Sequence, residues 1–136
     1  MTKLNNAISI PRVSSDFVDG LICGIGSFLW VTQVSSLRKQ RQKIAVFQIK
    51  VKSDNQEVLW IIKQHLGLAE TIHLYQTGKQ SFSLLIVRKR RTIEQIIIPF
   101  FNNRLFGSKK KQFEQWKQKF LKEKENWQYH YISYLK

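Results

Sequence analysis

One stretch constrains this chain more than any other: Asp16-Phe17-Val18-Asp19-Gly20-Leu21-Ile22-Cys23-Gly24-Ile25-Gly26-Ser27-Phe28. Its apolar residues predict a short helix, with Gly20 and Gly24 one turn apart on one face. Small residues so spaced let a second helix approach backbone to backbone. Gly26 predicts the helix stop, and from Ser27 the apolar pattern alternates as in a strand.

The remaining pattern completes an α+β order. Phe28, Trp30, Thr32 and Val34 share one face of the first strand, and Leu29, Val31, Gln33 and Ser35 share the other. Arg38 to Gln42 is polar and charged, which predicts a hairpin tip before a second strand over Lys43 to Lys52, with Phe47, Ile49 and Val51 as its core face. Ser53 to Glu57 predicts a cap and acidic first turn for a helix that carries Val58, Leu59, Ile61, Ile62 and Leu66 and stops at Gly67. Thr71 to Gln76 and Ser81 to Arg88 form a second hairpin around Gly78. Thr92 then caps Ile93 to Phe101, with Pro99 ending or kinking it. After a loop marked by Asn102, Asn103 and Gly107, a charged helix runs from Lys109 to about Glu125 with a stripe of Phe113, Trp116, Phe120 and Leu121. Residues 1–14 read as an arm, 15–125 as one domain, and 126–136 as a tail rich in aromatics (Trp127, Tyr129, Tyr131, Tyr134).

Charge narrows the partner. Lys and Arg number 23 against 9 Asp and Glu, a formal charge of +14 on 136 residues, which is the footprint of a polyanion binder. No apolar run approaches the roughly 18 to 20 residues of a spanning helix, so no membrane role is expected. The single cysteine, Cys23, excludes an internal disulfide. The arm carries only Lys3 and Arg12 and no continuous apolar run, so no secretory signal is read there, while a transit peptide stays open. Richness in Lys, Ile, Phe, Asn and Gln suits a gene in AT-rich DNA, as in organelles. His65, His73 and His130 are scattered and suggest no ligand set.

The segment Val18-Asp19-Gly20-Leu21-Ile22-Cys23-Gly24-Ile25-Gly26 resembles the motif of the LAGLIDADG homing endonucleases. The order helix, strand, strand, helix, strand, strand, helix, helix is similar to that of a single-motif LAGLIDADG domain, so the resemblance covers roughly Ser15 to Glu125. Ile97-Ile98-Pro99-Phe100-Phe101, Gly107-Ser108-Lys109 and Phe113-Glu114-Gln115-Trp116 look like the family's distal region. The resemblance implies a four-stranded antiparallel saddle sheet whose concave face lies along nucleic acid.

It also implies a site. Family members hold divalent ions between carboxylates at the ends of two motif helices. The two acidic positions of the motif are Cys23 and Ile25 here, neither of which supplies a carboxylate. The expectation is therefore no catalytic residue, no metal, no cofactor and no enzyme, with a distant Glu70 or Glu94 as the remaining route to a ligand. For binding, the resemblance places Gln33, Ser35, Gln48 and Lys50 on the contact face, with Arg38, Lys39, Arg41 and Lys43 at the hairpin tip. Arg88, Arg90 and Arg91 close the second hairpin as a basic cluster. Lys109 matches a basic residue that approaches the phosphates, and Lys110 and Lys111 extend it. Gly20 and Gly24 are the helix interface. A homodimer is doubtful on this reading, because two Asp19 carboxylates would meet across it.

The expected function is that of an inactive LAGLIDADG-like binder of structured organellar RNA, mitochondrial or else chloroplast. Its target would be ribosomal RNA, as a ribosome-associated protein, or intron RNA, as a maturase-like factor. Two alternatives stand beside it. One is a metal-dependent endonuclease cutting a long double-stranded DNA site. The other is an interaction protein docking through the motif helix.

Overall fold

A serine begins the first helix. The computed structural model describes residues 10–34 and 41–135, with the side chains of 10–33 and 43–125. Ser14 Oγ accepts a hydrogen bond from the Phe17 N–H at 3.1 Å, which caps helix α1 (Ser15–Ile25). One face of α1 buries Val18, Asp19 and Ile22. At its end the chain turns directly into strand β1 (Gly26–Val34). A Cβ at Gly26 would lie 2.6 Å from Ile22 Cγ2, so only glycine lets helix and strand meet this closely.

Strands β1, β2 (Arg41–Lys52), β3 (Ile72–Thr77) and β4 (Gln80–Val87) form one antiparallel sheet in the order β1-β2-β4-β3. Phe28 stands opposite Phe47, and Ile49 opposite Leu85. These four and Val87 are buried beneath the helices. The second strand begins at Arg41 rather than at Lys43, so Arg41 pairs with Val34 in the ladder instead of forming the tip. Backbone hydrogen bonds carry the ladder past the last apolar side chain, which an alternation of hydrophobic residues cannot register. Ser35, Arg38 and Lys39 lie outside the described residues.

A single 3-10 turn (Ser53–Asn55) leads into α2 (Gln56–Leu66), which buries Leu59, Ile62 and Leu66. Gly67 adopts φ +70°, and the Leu68 N–H reaches back to the Lys63 carbonyl at 3.0 Å, closing the helix in a Schellman turn. After β4, α3 (Arg90–Thr92) passes through a π-helical turn (Ile93–Ile97) into α4 (Ile98–Phe101). Thr92 is therefore inside a helix and does not cap one. Pro99 does not end the helix either. The wide turn ahead of it shifts the hydrogen-bond register where proline has no N–H to give. Helix α5 (Gly107–Leu135) starts two residues before the expected Lys109, and its backbone continues through the segment read as a tail.

An aromatic cluster locks α5 and α4 to the sheet. The Phe28 ring lies 5.2 Å from Phe47, 6.0 Å from Phe101, 5.0 Å from Phe113 and 5.1 Å from Trp116, measured between centroids. Phe113, Trp116 and Phe120 are buried as the stripe predicts, but Leu121 is exposed. The edge of β1 is closed by the same helix. Gln112 Oε1 accepts from the Phe28 N–H and Trp116 Nε1 donates to the Leu29 carbonyl, both at 2.9 Å, so backbone groups of this edge strand are satisfied by side chains.

Candidate nucleic-acid interface

Strand alternation leaves one face of the sheet free of helices. On it stand Leu29, Val31 and Gln33 of β1, Ile44, Val46, Gln48, Lys50 and Lys52 of β2, Phe82, Leu84 and Ile86 of β4, and His73 and Tyr75 of β3. All of these except Val46, which is 2% exposed, stand at least partly open to solvent. Toward the β1 edge the face is aliphatic, with Leu29 opposite Val46 and Val31 opposite Ile44. Toward the β3 edge, Tyr75 and Phe82 stack with centroids 5.5 Å apart. The exposed Lys50 ammonium stands 4.4 Å from the Phe82 centroid and 5.6 Å from that of Tyr75, so its aliphatic stem covers apolar surface while its charge stays in water.

Of the residues expected on the contact face, Gln33, Gln48 and Lys50 do share it. Lys43, expected at the hairpin tip, stands instead within the ladder, paired with Thr32 on the opposite, helix-bearing side. The parity of the ladder decides this, and a residue assigned to a tip has no parity. The basic cluster is divided. Arg88 and Lys89 extend from the end of β4 and line the free face, whereas Arg90 lies in the field of Glu123 of α5, and its partial burial lowers its pKa from the usual arginine value. Arg91 is exposed in α3, and Lys110 and Lys111 are exposed in the first turn of α5.

Lys109 has a structural partner. Its ammonium donates to the Gly26 carbonyl at the foot of α1, where the helix dipole favours a cation. Beside it, the Phe106 N–H donates to Cys23 Sγ at 3.4 Å, and Ile25 is partly exposed. The foot of the first helix is thus held by Lys109 and by the loop before α5.

A model of the family described as LAGLIDADG endonuclease matches residues 18–120. The chain belongs to the LAGLIDADG endonuclease family. Solved structures agree on the fold. The meganuclease I-SmaMI bound to uncleaveable DNA superposes with a TM-score of 0.70 at 23% identity, over 83% of this chain and 38% of that one. The homing endonuclease I-TnaI gives 0.74 at 18% identity, over 85% and 77%. I-SmaMI bound to cleaved DNA gives 0.71 at 24% identity, over 92% and 40%. This chain therefore spans about two-fifths of the length of I-SmaMI. No curated protein sequence matches it.

Family membership corrects one expectation outright. Ile25 and Cys23 at the motif's acidic positions predict no enzyme, yet the family is one of endonucleases, and I-SmaMI has been captured on cleaved DNA. That expectation rested on Ile25, one side chain at the foot of one LAGLIDADG helix, whereas the family resemblance draws metal ligands from two such helices. The groups at this foot do not themselves fit a divalent ion. Ile25 offers no oxygen, and the Gly26 carbonyl already faces the Lys109 ammonium. Glu94 is paired with Lys124. Glu70 precedes Ile72, which lies across the sheet from Gly26 along the line Gly26, Ile49, Leu85, Ile72, three strand spacings or roughly 14 Å away.

The LAGLIDADG helix also corrects the reading of Asp19. Its carboxylate is 5% exposed, and Oδ2 accepts from Arg104 Nε at 2.9 Å. Burial lifts its pKa above the ordinary aspartate value, and the Arg104 guanidinium offsets part of that rise. The charge thus points into its own domain, and no clash of Asp19 carboxylates stands in the way of pairing between two copies. Gly20 and Gly24 are exposed, and a Cβ on either meets no atom within 4 Å. Phe17 and Ile25, on the same helix, are exposed apolar residues. Among the described residues, no helix is long and apolar enough to cross a membrane.

Proposed function

We propose that this chain binds nucleic acid across the helix-free face of its sheet, and that structured organellar RNA, ribosomal or intronic, is its target. The carrying observation is the make-up of that face, an aliphatic stretch over β1 and β2 flanked by Lys50, Lys52, Arg88 and Lys89. Cations at the border neutralise phosphates and release counterions, which supplies affinity for any strand. Leu29, Val31 and Ile44 offer no hydrogen bonds to base edges in a major groove, but apolar surface suits unpaired bases, which RNA loops present. The structural neighbours crystallised with DNA support the nucleic-acid part of this reading.

The test compares affinities for a structured RNA and for a duplex DNA of matched sequence, across a salt series. Changing Lys50, Lys52 and Arg88 together to alanine is expected to flatten the salt slope for RNA by about two to three units. An unchanged slope would remove the face from the site. Tighter binding to the duplex, with magnesium-dependent cutting, would replace the RNA target with the family's DNA endonuclease activity.

A second reading concerns α1. Its exposed Phe17, Gly20, Gly24 and Ile25 form a face on which a second copy of the same helix can pack closely. Gly24→Leu is expected to abolish self-association in sedimentation experiments while the monomer stays folded. Gly24→Ala should stabilise a monomer by up to about 1 kcal/mol, since helix-interior glycine is the poorer former. A chain that sediments as a monomer at all concentrations refutes the pairing.

A further inference from the structure

A hollow of about 520 Å³ opens on the free face where β3 begins and β4 ends. Leu84 and Ile86 of β4 and His73 and Tyr75 of β3 line it from the sheet, and Glu70, Arg88 and Lys89 line it beyond the strand ends. Glu70 Oε1 is buried and has no hydrogen-bond partner. Among the described residues, neither Arg88 nor Lys89 forms an ion pair. A residue lining the hollow therefore carries an acceptor with no donor, and the cations beside it are in no ion pair among the described residues.

We propose that this hollow binds a guanine that has no Watson–Crick partner, presented by an unpaired stretch of a nucleic-acid strand. A carboxylate only accepts hydrogen bonds. Its two oxygens match two adjacent donors, and among the bases guanine carries that pair on one edge, N1–H beside the N2 amine. Adenine and cytosine offer an exocyclic amine alone, and uracil offers one ring N–H. In a duplex the guanine donors are taken by cytosine, so only an unpaired guanine can present them. The Tyr75 and His73 rings and the apolar Leu84 and Ile86 suit the faces of a planar base. Arg88 and Lys89 suit the phosphate that follows it. The volume lies within the range of small-ligand sites. The inference rests on the reading that the free face binds nucleic acid, and makes that binding base-selective and restricted to unpaired strands.

Its test uses the full chain and uridine-rich RNA 12-mers that carry one central guanine, inosine or adenine, each single-stranded or annealed to its complement, with guanosine monophosphate as a separate arm. Inosine keeps N1–H and lacks the N2 amine. The guanine strand is expected to bind at least about tenfold more tightly than the inosine or adenine strand, and annealing should erase the difference. Glu70→Gln keeps the shape of a partly exposed side chain that has no partner to lose, so it should fold. It is expected to bring guanine and adenine within about twofold while the salt slope is unchanged. Tyr75→Leu should weaken both strands without changing their ratio. Equal binding of guanine and adenine strands by the native chain, or full preference in Glu70→Gln, overturns the hollow and leaves the face-binding reading standing. Loss of salt-dependent binding to every strand overturns the face itself. Monophosphate bound as tightly as the strand overturns the strand as the source and identifies a free nucleotide as the ligand.

Discussion

Phe28→Ala is expected to cost this domain about 3 to 5 kcal/mol of stability, the range for emptying a buried aromatic site. Phe28 is 3% exposed and its ring meets those of Phe47, Phe101, Phe113 and Trp116. No neighbour can collapse into the space without leaving its own partners, because those rings come from β2, α4 and α5. Domains of this kind have about 5 to 15 kcal/mol in total, so the variant should show a denaturant midpoint cut by about a fifth or more. Leu121→Ala is the control. That side chain is exposed, and its change should stay within about 0.5 kcal/mol. Equal losses at both positions would mean that the cluster is not the centre of the core.

The second large effect belongs to Arg104. Arg104→Ala leaves the Asp19 carboxylate buried without its cation, and the expected loss at neutral pH is about 2 kcal/mol, near the low end for charged hydrogen bonds because Arg104 itself is partly exposed to solvent. The contact to Asp16 adds little, since Asp16 is almost fully exposed. The pH dependence follows from the direction of the Asp19 shift. Its folded pKa is raised above 3.8 by burial, so the folded state holds its proton more tightly than the unfolded chain. From this group, stability is greatest below that value and falls as pH rises through the folded pKa. Without Arg104 the rise is larger, so the penalty in Arg104→Ala should shrink on acidification and vanish where Asp19 is protonated. Asp19→Asn in the same background should recover most of it at neutral pH. A penalty that is constant between acid and neutral conditions would assign Arg104 a packing role alone, over the Phe100 ring 5.3 Å away.

The elements that a residue's near neighbours decide were legible. Gly26 and Gly67 are the true helix stops, and the alternation along the second strand marks Phe47 and Ile49 on its inner face. Legibility failed where a distant partner decides. Asp19 finds Arg104 across 85 residues and Lys109 finds Gly26 across 83, and no spacing rule reaches that far. Lys43 reads as a tip residue in sequence because polar residues mask a ladder that backbone hydrogen bonds extend. Arg90 was grouped with Arg88 by adjacency, yet a helix begins between them and turns Arg90 toward Glu123. The hollow had no signal at all, since Glu70, Tyr75 and Arg88 meet only when β3 and β4 pair.

Local chemistry alone therefore set the identity and order of the helices and strands, the glycine face of α1 and the excess of positive charge. Those depend on the periodicity of side chains and on backbone conformations open to glycine, which neighbours within a turn or a pleat decide. Folding in three dimensions settled which charges remain available. It drew Asp19 and Lys109 into internal pairs and left Lys50, Arg88 and Lys89 in the open with an unpartnered Glu70, because an ion pair depends on distance in space, and the sheet and its helices create those distances only when they pack.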